Sequence, residues 1–266
     1  MTTTTDTATL PGTDRDAPGD DAGARPHPRT AGLPDVPALR DRDVRWELAA
    51  ALRAFARAGF EFGFNGHVSA RAPEAPGHYW VNPFGLSIST VTPSDLVLVG
   101  PDGAVVDARP SAVINGFAGN LRLHQEVEDA AVVVHLHTPS GFAWSSLGRP
   151  LEAVTTDAAL IARLQGLTST IWDGASSPSA VDLARDGARV VLQRGHGFVT
   201  LGRTVGEAAF YLLAAERAAA ANLALAAVPD RAVLPEAAQE RWTLTPELAR
   251  AHFETELTRV EAEGLR

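Results

Sequence analysis

Strand-length apolar runs and helix-length amphipathic segments succeed one another along one continuous stretch of this chain, and a chain so patterned folds with helices laid against a sheet. Val44, Leu48, Leu52, Phe55 and Ala56 recur at helical spacing, and Gly59 supplies a stop. Short strand-like pieces follow at 66–71, at 78–81 up to the turn Asn82-Pro83-Phe84-Gly85, and at 95–99; Pro101-Asp102-Gly103 is then a hairpin signal leading into 104–107. The pattern predicts a helix over 111–127, a buried strand at Val132-Val133-Val134, helices over 156–165 and 179–185, and strands over 189–193 and 197–201. Thr204 and Glu207 have capping-box spacing ahead of the alanine-rich stretch 208–227, and Thr245 with Pro246 opens a last helix carrying Leu248, Phe253, Leu257 and Val260. No internal repeat is visible, and the whole reads as one mixed α/β domain.

The pattern does not reach the N-terminus. Residues 1–34 hold no aromatic residue and few large aliphatics among repeated Thr, Asp, Gly and Pro, so they bury too little apolar surface to offset the entropy of ordering and are expected to be a disordered tail. The folded domain is expected over 39–228, with 229–266 as a helical extension. Composition then narrows the chemistry. All 23 basic residues of the 266 are arginine and there is no cysteine, which excludes Schiff-base and pyridoxal-phosphate lysines, the P-loop lysine, thiolate nucleophiles, thiolate metal sites and disulfides. A net charge of -9 with dispersed arginines argues against a nucleic-acid surface. No apolar run approaches a membrane span and the threonine-rich start lacks the form of a secretory signal, so the expected location is cytoplasmic.

Histidine, carboxylate, hydroxyl and a bound metal remain. His135 and His137 stand two apart at the end of the Val132–Val134 run, and alternation along a strand turns both imidazoles to one face while Leu136 faces the other. Such a pair suits a divalent metal; alone, it reads equally well as two half-exposed histidines at a strand end. His196 lies between Gly195 and Gly197, where the backbone can turn tightly, and alone it is equally a turn histidine.

Four groups of residues, taken together, change that balance. Gly66-His67-Val68-Ser69-Ala70-Arg71, Asn82-Pro83-Phe84-Gly85-Leu86, His135-Leu136-His137-Thr138 and Gly195-His196-Gly197 with Gly202 and Glu207 occur in an order and spacing by which the stretch from Arg45 to Ala227 resembles the class II aldolase/adducin family. The resemblance implies a single-domain α/β/α sandwich with a mostly antiparallel central sheet. It also implies a divalent ion (zinc, manganese or iron(II)) held by His135, His137 and His196, and a homotetramer with its sites between subunits. Three imidazoles leave coordination positions open, as a catalytic metal requires.

Departures from the family pattern shape the expected substrate. Counting back from His135 without gaps, the aldolases' catalytic glutamate falls on Gly116 and their two phosphate-binding serines on Ile114 and Asn115. Their Gly-Asn is Gly66-His67, and their Thr-Gly is Phe84-Gly85. A phosphorylated sugar is therefore not expected. Gly116, Asn120 and His124 share one helical stripe, which puts Gly116 and Asn120 at the site and leaves His124, further along, as a helix-surface residue. Phe84 is either an aromatic wall of a roomier site or core, and Asn120 either lines the site or bonds a neighbouring backbone group. Arg71 either holds a substrate carboxylate or makes a structural salt bridge. His67, in the segment matching the family's substrate-binding loop, is the expected second functional imidazole, for the proton or the carboxylate. His27, His78 and His252 carry no signal.

The leading expectation is a metal-dependent lyase that decarboxylates, or cleaves by retro-aldol chemistry, an unphosphorylated aromatic or hydroxy/keto carboxylic acid. A non-haem iron(II) oxygenase that oxidatively decarboxylates an aromatic keto acid in specialised metabolism is the alternative, and a non-catalytic assembly module, as in adducin, is the third reading.

Overall fold

The computed structural model describes residues 39–108, 113–169 and 177–265. The expected tail lies outside the described residues. Eight strands form one sheet: β1 (His67–Arg71), β2 (Tyr79–Val81), β3 (Val97–Val99), β4 (Val105–Asp107), β5 (Val132–Leu136), β6 (Gln165–Thr168), β7 (Val190–Gln193) and β8 (Gly197–Gly202). Their order is β4-β3-β2-β1-β5-β8-β7-β6, and every pairing is antiparallel except β6 with β7. The described helices are α1 (Val44–Arg57), α2 (Phe117–Glu126), α3 (Pro139–Ser145), α4 (Thr156–Ala162), α5 (Ala180–Arg185), α6 (Val205–Leu225), α7 (Glu236–Trp242) and α8 (Pro246–Ala262).

Alternation along the strands divides the core in two. Val132, Val134 and Leu136 of β5, with Val190 and Leu192 of β7, join the large cluster built with α1, α3, α4, α6 and α8. Val133 and Val191 point the other way, onto Leu123 of α2 and Val181 and Ala184 of α5. Helices therefore cover both faces of the sheet, as the α/β/α expectation had it. The parity also sends His135 to the α2 face, since it shares the side of Val133. The C-terminal segment shares the large core: Phe253, Leu257 and Val260 of α8 are buried in the same cluster as α1 and α6.

Several expected elements shift for identifiable reasons. The helix expected over 111–127 starts only at Phe117, because Gly116 takes a left-handed φ of 68° that no right-handed helix accommodates; residues 111 and 112 lie outside the described ones. The helix expected over 156–165 ends at Ala162, and Gln165 begins β6, where its side-chain amide bonds both backbone groups of Leu151 at 2.8 Å. At α6, Thr204 caps Glu207 N, but the glutamate reaches Arg203 N at 2.7 Å instead of the cap residue, so the box is half made. Helix α3 had no counterpart in the sequence reading, and α7 falls within the helical extension expected over 229–266. No described helix is long and apolar enough to cross a membrane.

Candidate metal centre

His67 and His135 are register partners across β1 and β5, so both side chains leave the α2 face of the sheet side by side, with ring centroids 5.0 Å apart. His137 follows two residues past His135, its ring 5.1 Å from His135. His196 arrives from the β7–β8 turn, where Gly195 and Gly197 both take positive φ, and stands 4.8 Å from His135 and 4.9 Å from His137. The turn is pinned by α3: Ser145 accepts Gly195 N at its carbonyl and Gly197 N at its hydroxyl. Helix α3 is itself fixed by Glu216 of α6, whose two carboxylate oxygens accept Ser140 N and Gly141 N, each at 2.7 Å. A packed chain from α6 through α3 thus sets where His137 and His196 meet.

The donor set fits a divalent cation. One ring nitrogen from each of His135, His137 and His196 lies within 4.8 Å of the others, close enough for the three to converge on a single ion. His135 Nδ1 donates to the Phe198 carbonyl at 2.8 Å, so its Nε2 is the atom left to ligate. Burial lowers the pKa of all three rings, with further lowering by neighbouring imidazoles at His135 and His137, so each presents the neutral form that binds metal.

A recess of about 220 Å³ opens beside this cluster, lined among others by His67, Gly116, Asn120, Gln193, His135 and His196. The recess brings His67, Gly116 and Asn120 together with His135 and His196, while His137 lines the neighbouring recess. The contact between His67 and Gly116 is close. A Cβ on Gly116 would lie 2.6 Å from His67 Cε1 and 2.8 Å from Nδ1, so the imidazole occupies the space that any side chain at 116 needs. The His67 ring and a side chain at 116 cannot share this space, so the two positions are sterically linked. Burial, and then the charges of His196 and His137, push His67 down to about 4, so its ring is neutral at physiological pH.

Other expectations are placed elsewhere. His124 is not on the helix surface: it is buried against the sheet, because its stripe is the one that α2 packs inward. Its Nδ1 donates to the Ala130 carbonyl at 2.7 Å, which leaves Nε2 to accept the Ser69 hydroxyl at 2.8 Å; Asn120 Nδ2 then donates to Ser69 Oγ at 2.9 Å. Asn120 thus does both things expected of it as alternatives, bonding a neighbour and lining the recess. Arg71 sits at the far end of β1 and donates to the carbonyls of His124, Val127 and Glu128, capping the end of α2; it is not among the described residues lining this recess, and no salt bridge of it falls among the described residues. Phe84 packs edge-on against Phe64 at 4.6 Å, and neither Phe84 nor Gly85 is among the described residues lining this recess. Sequence reasoning quoted Ser69 within the Gly66–Arg71 motif without giving it a role, and missed Gln193, Ser145 and Glu216, which carry no local signature.

A mostly antiparallel sheet between helical layers, with three neutral imidazoles gathered at strand ends, defines an α/β domain built around a candidate cation site. The family description "Class II Aldolase and Adducin N-terminal domain" matches residues 46–223, and the chain belongs to that family. It is 33% identical over 196 residues to the Meiotically up-regulated gene 14 protein of Schizosaccharomyces pombe, covering 71% of this chain and 76% of that one. It is 33% identical over 177 residues to Decarboxylase NovR of Streptomyces niveus, spanning 63% of this chain and 64% of that protein. Equal identity over the same length relates it to the 4-hydroxy-3-prenylphenylpyruvate oxygenase/4-hydroxy-3-prenylbenzoate synthase of Streptomyces roseochromogenus subsp. oscitans, of which 62% is spanned. The chain therefore spans just under two thirds of the latter two. Among solved structures, the L-fuculose 1-phosphate aldolase from Glaciozyma antarctica superposes with a TM-score of 0.74 at 26% identity, covering 84% of this chain and 91% of that one.

Proposed function

We propose that this protein is a metal-dependent lyase that breaks a C–C bond in an unphosphorylated carboxylic acid of the aromatic or 2-hydroxy/2-keto class. The observation that carries the reading is that the histidine cluster borders a recess in which an imidazole, His67, fills the space a side chain at 116 would need. His135, His137 and His196 would hold a divalent ion, which would supply Lewis acidity toward substrate oxygen. His67 is the group in position to take a hydroxyl proton as the C–C bond of a retro-aldol substrate breaks, and to return it to the carbon that keeps the electron pair. In a decarboxylation the same ring holds the water that protonates that carbon. The Asn120 amide and Gln193 border the same recess and orient the acid. Among the described residues lining it there is no arginine, which disfavours a phosphate ester and agrees with the altered serine, asparagine and threonine positions.

A second reading, iron(II)-dependent oxidative decarboxylation, is favoured by the similarity to the 4-hydroxy-3-prenylphenylpyruvate oxygenase/4-hydroxy-3-prenylbenzoate synthase. The two separate on oxygen: release of carbon dioxide or an aldehyde under nitrogen supports the lyase, and turnover that needs both iron(II) and dioxygen supports the oxygenase. A purely structural role, as in adducin, gives no physical reason to keep three converging imidazoles. The family resemblance also supports a homotetramer as the working assembly, which sedimentation of the purified chain tests.

A further inference from the structure

A second recess, of about 350 Å³, adjoins the cluster and is walled by Phe62, Pro139 and Phe142 together with Glu61 and His137. That volume is within the range of small-molecule sites, which begins near roughly 300 Å³. Phe142 stands 5.1 Å from the His137 ring and within 3.9 Å of the position a Cβ on Gly197 would take, beside His196. Phe62 is 71% exposed and Phe142 41%, so two large aromatic rings are left to solvent around one histidine of the cluster. Exposed aromatic surface of this kind calls for an apolar occupant. Because His137 belongs both to the cluster and to the wall of this recess, a small acid anchored at the cluster extends its far end here. The charge pattern sets the orientation. Glu61, held by the Ser87 hydroxyl, puts a carboxylate on this side, which repels the acid group toward His67, Asn120 and Gln193 and leaves the uncharged end for Phe62 and Phe142.

We propose that Phe62 and Phe142 form the specificity pocket of this site and seat an aryl or similarly bulky apolar group of the substrate; the proposal rests on the metal-centred acid chemistry argued above. The test is calorimetric titration of the full, zinc-loaded chain with two probes that share a 2-hydroxy acid, lactate and 3-phenyllactate, for the parent protein and for Phe62→Ala and Phe142→Ala. Phenyllactate is expected to bind roughly tenfold more tightly than lactate, and each variant to lose most of that preference while its lactate affinity stays within about twofold. Phe62 is mostly exposed and tolerates truncation, so its variant decides the matter if Phe142→Ala misfolds. Lactate binding with no preference for the phenyl group, or a preference that survives both substitutions, overturns the pocket and leaves the metal reading standing. If neither acid binds, both readings fall. A change in sedimentation with the preference unaltered assigns the two rings to a contact between copies of the chain and overturns the proposal.

Discussion

Placing a methyl group on Gly116 tests the steric link at the heart of the site. Two costs are expected in Gly116→Ala. The left-handed backbone, φ 68°, costs an alanine about 1–2 kcal/mol. The new Cβ, 2.6 Å from His67 Cε1, forces the ring to move in a packed setting, at about 1–3 kcal/mol. The second cost disappears when the ring is absent. In a His67→Ala background the same substitution should therefore cost only the backbone share, and the double-mutant cycle should show a coupling of about 1–3 kcal/mol. Urea denaturation of the four proteins, followed by circular dichroism at matched concentration, measures it. Costs that add to within about 0.5 kcal/mol mean that the imidazole does not occupy the space beside residue 116, and the steric link between the two positions fails. Gly116→Glu extends the test, since it should be tolerated better with His67→Asn than with His67 in place.

Three further outcomes follow from other parts of the molecule. Burial raises Glu47 to about 7, with Arg250 and Arg42 working against the shift and Glu254 and Asp41 adding to it. A raised carboxylate gives stability that is full below its unfolded value, near 4.5, and lost as pH climbs through about 7. Glu47→Gln should therefore leave stability nearly unchanged at pH 4 and raise it by up to about 3 kcal/mol at pH 8, and equal melting temperatures at pH 8 contradict the assignment. Ser69→Ala removes the hydroxyl shared by His124 and Asn120 and should cost about 1–3 kcal/mol with metal content unchanged; a melting temperature equal to the parent's speaks against the network. Arg71→Ala should lower stability by a similar amount through the uncapped carbonyls of α2, with acid binding by the zinc-loaded chain unaffected, whereas weakened acid binding returns Arg71 to the site.

The strand carrying His135 was readable because three consecutive valines with flanking alternation permit little else, and strand parity then put His135 and His137 on one face. Nothing local brought His196 to them. Its approach depends on Ser145 and Glu216, which act through tertiary contacts, so only the family resemblance pointed to the convergence. The stripe Gly116, Asn120, His124 was correctly grouped, yet the periodicity of a helix does not say where its inward face ends, and His124 turned out to pack inside. Strand β6 escaped notice because Gln165-Gly166-Leu167-Thr168 has no apolar alternation and is defined by its parallel pairing with β7. Arg71 was open for a related reason: a long cation can reach helix carbonyls as readily as a carboxylate, and here it reaches the end of α2.

Metal stoichiometry bears most directly on the central claim. Elemental analysis and calorimetric titration of the purified chain with zinc, manganese and iron(II) should give one divalent ion per chain, and His135→Ala, His137→Ala and His196→Ala should each weaken binding at least about a hundredfold while remaining folded. Binding that persists at parental strength in any of the three, or a parent chain that takes up no divalent ion, contradicts a metal centre built from these rings.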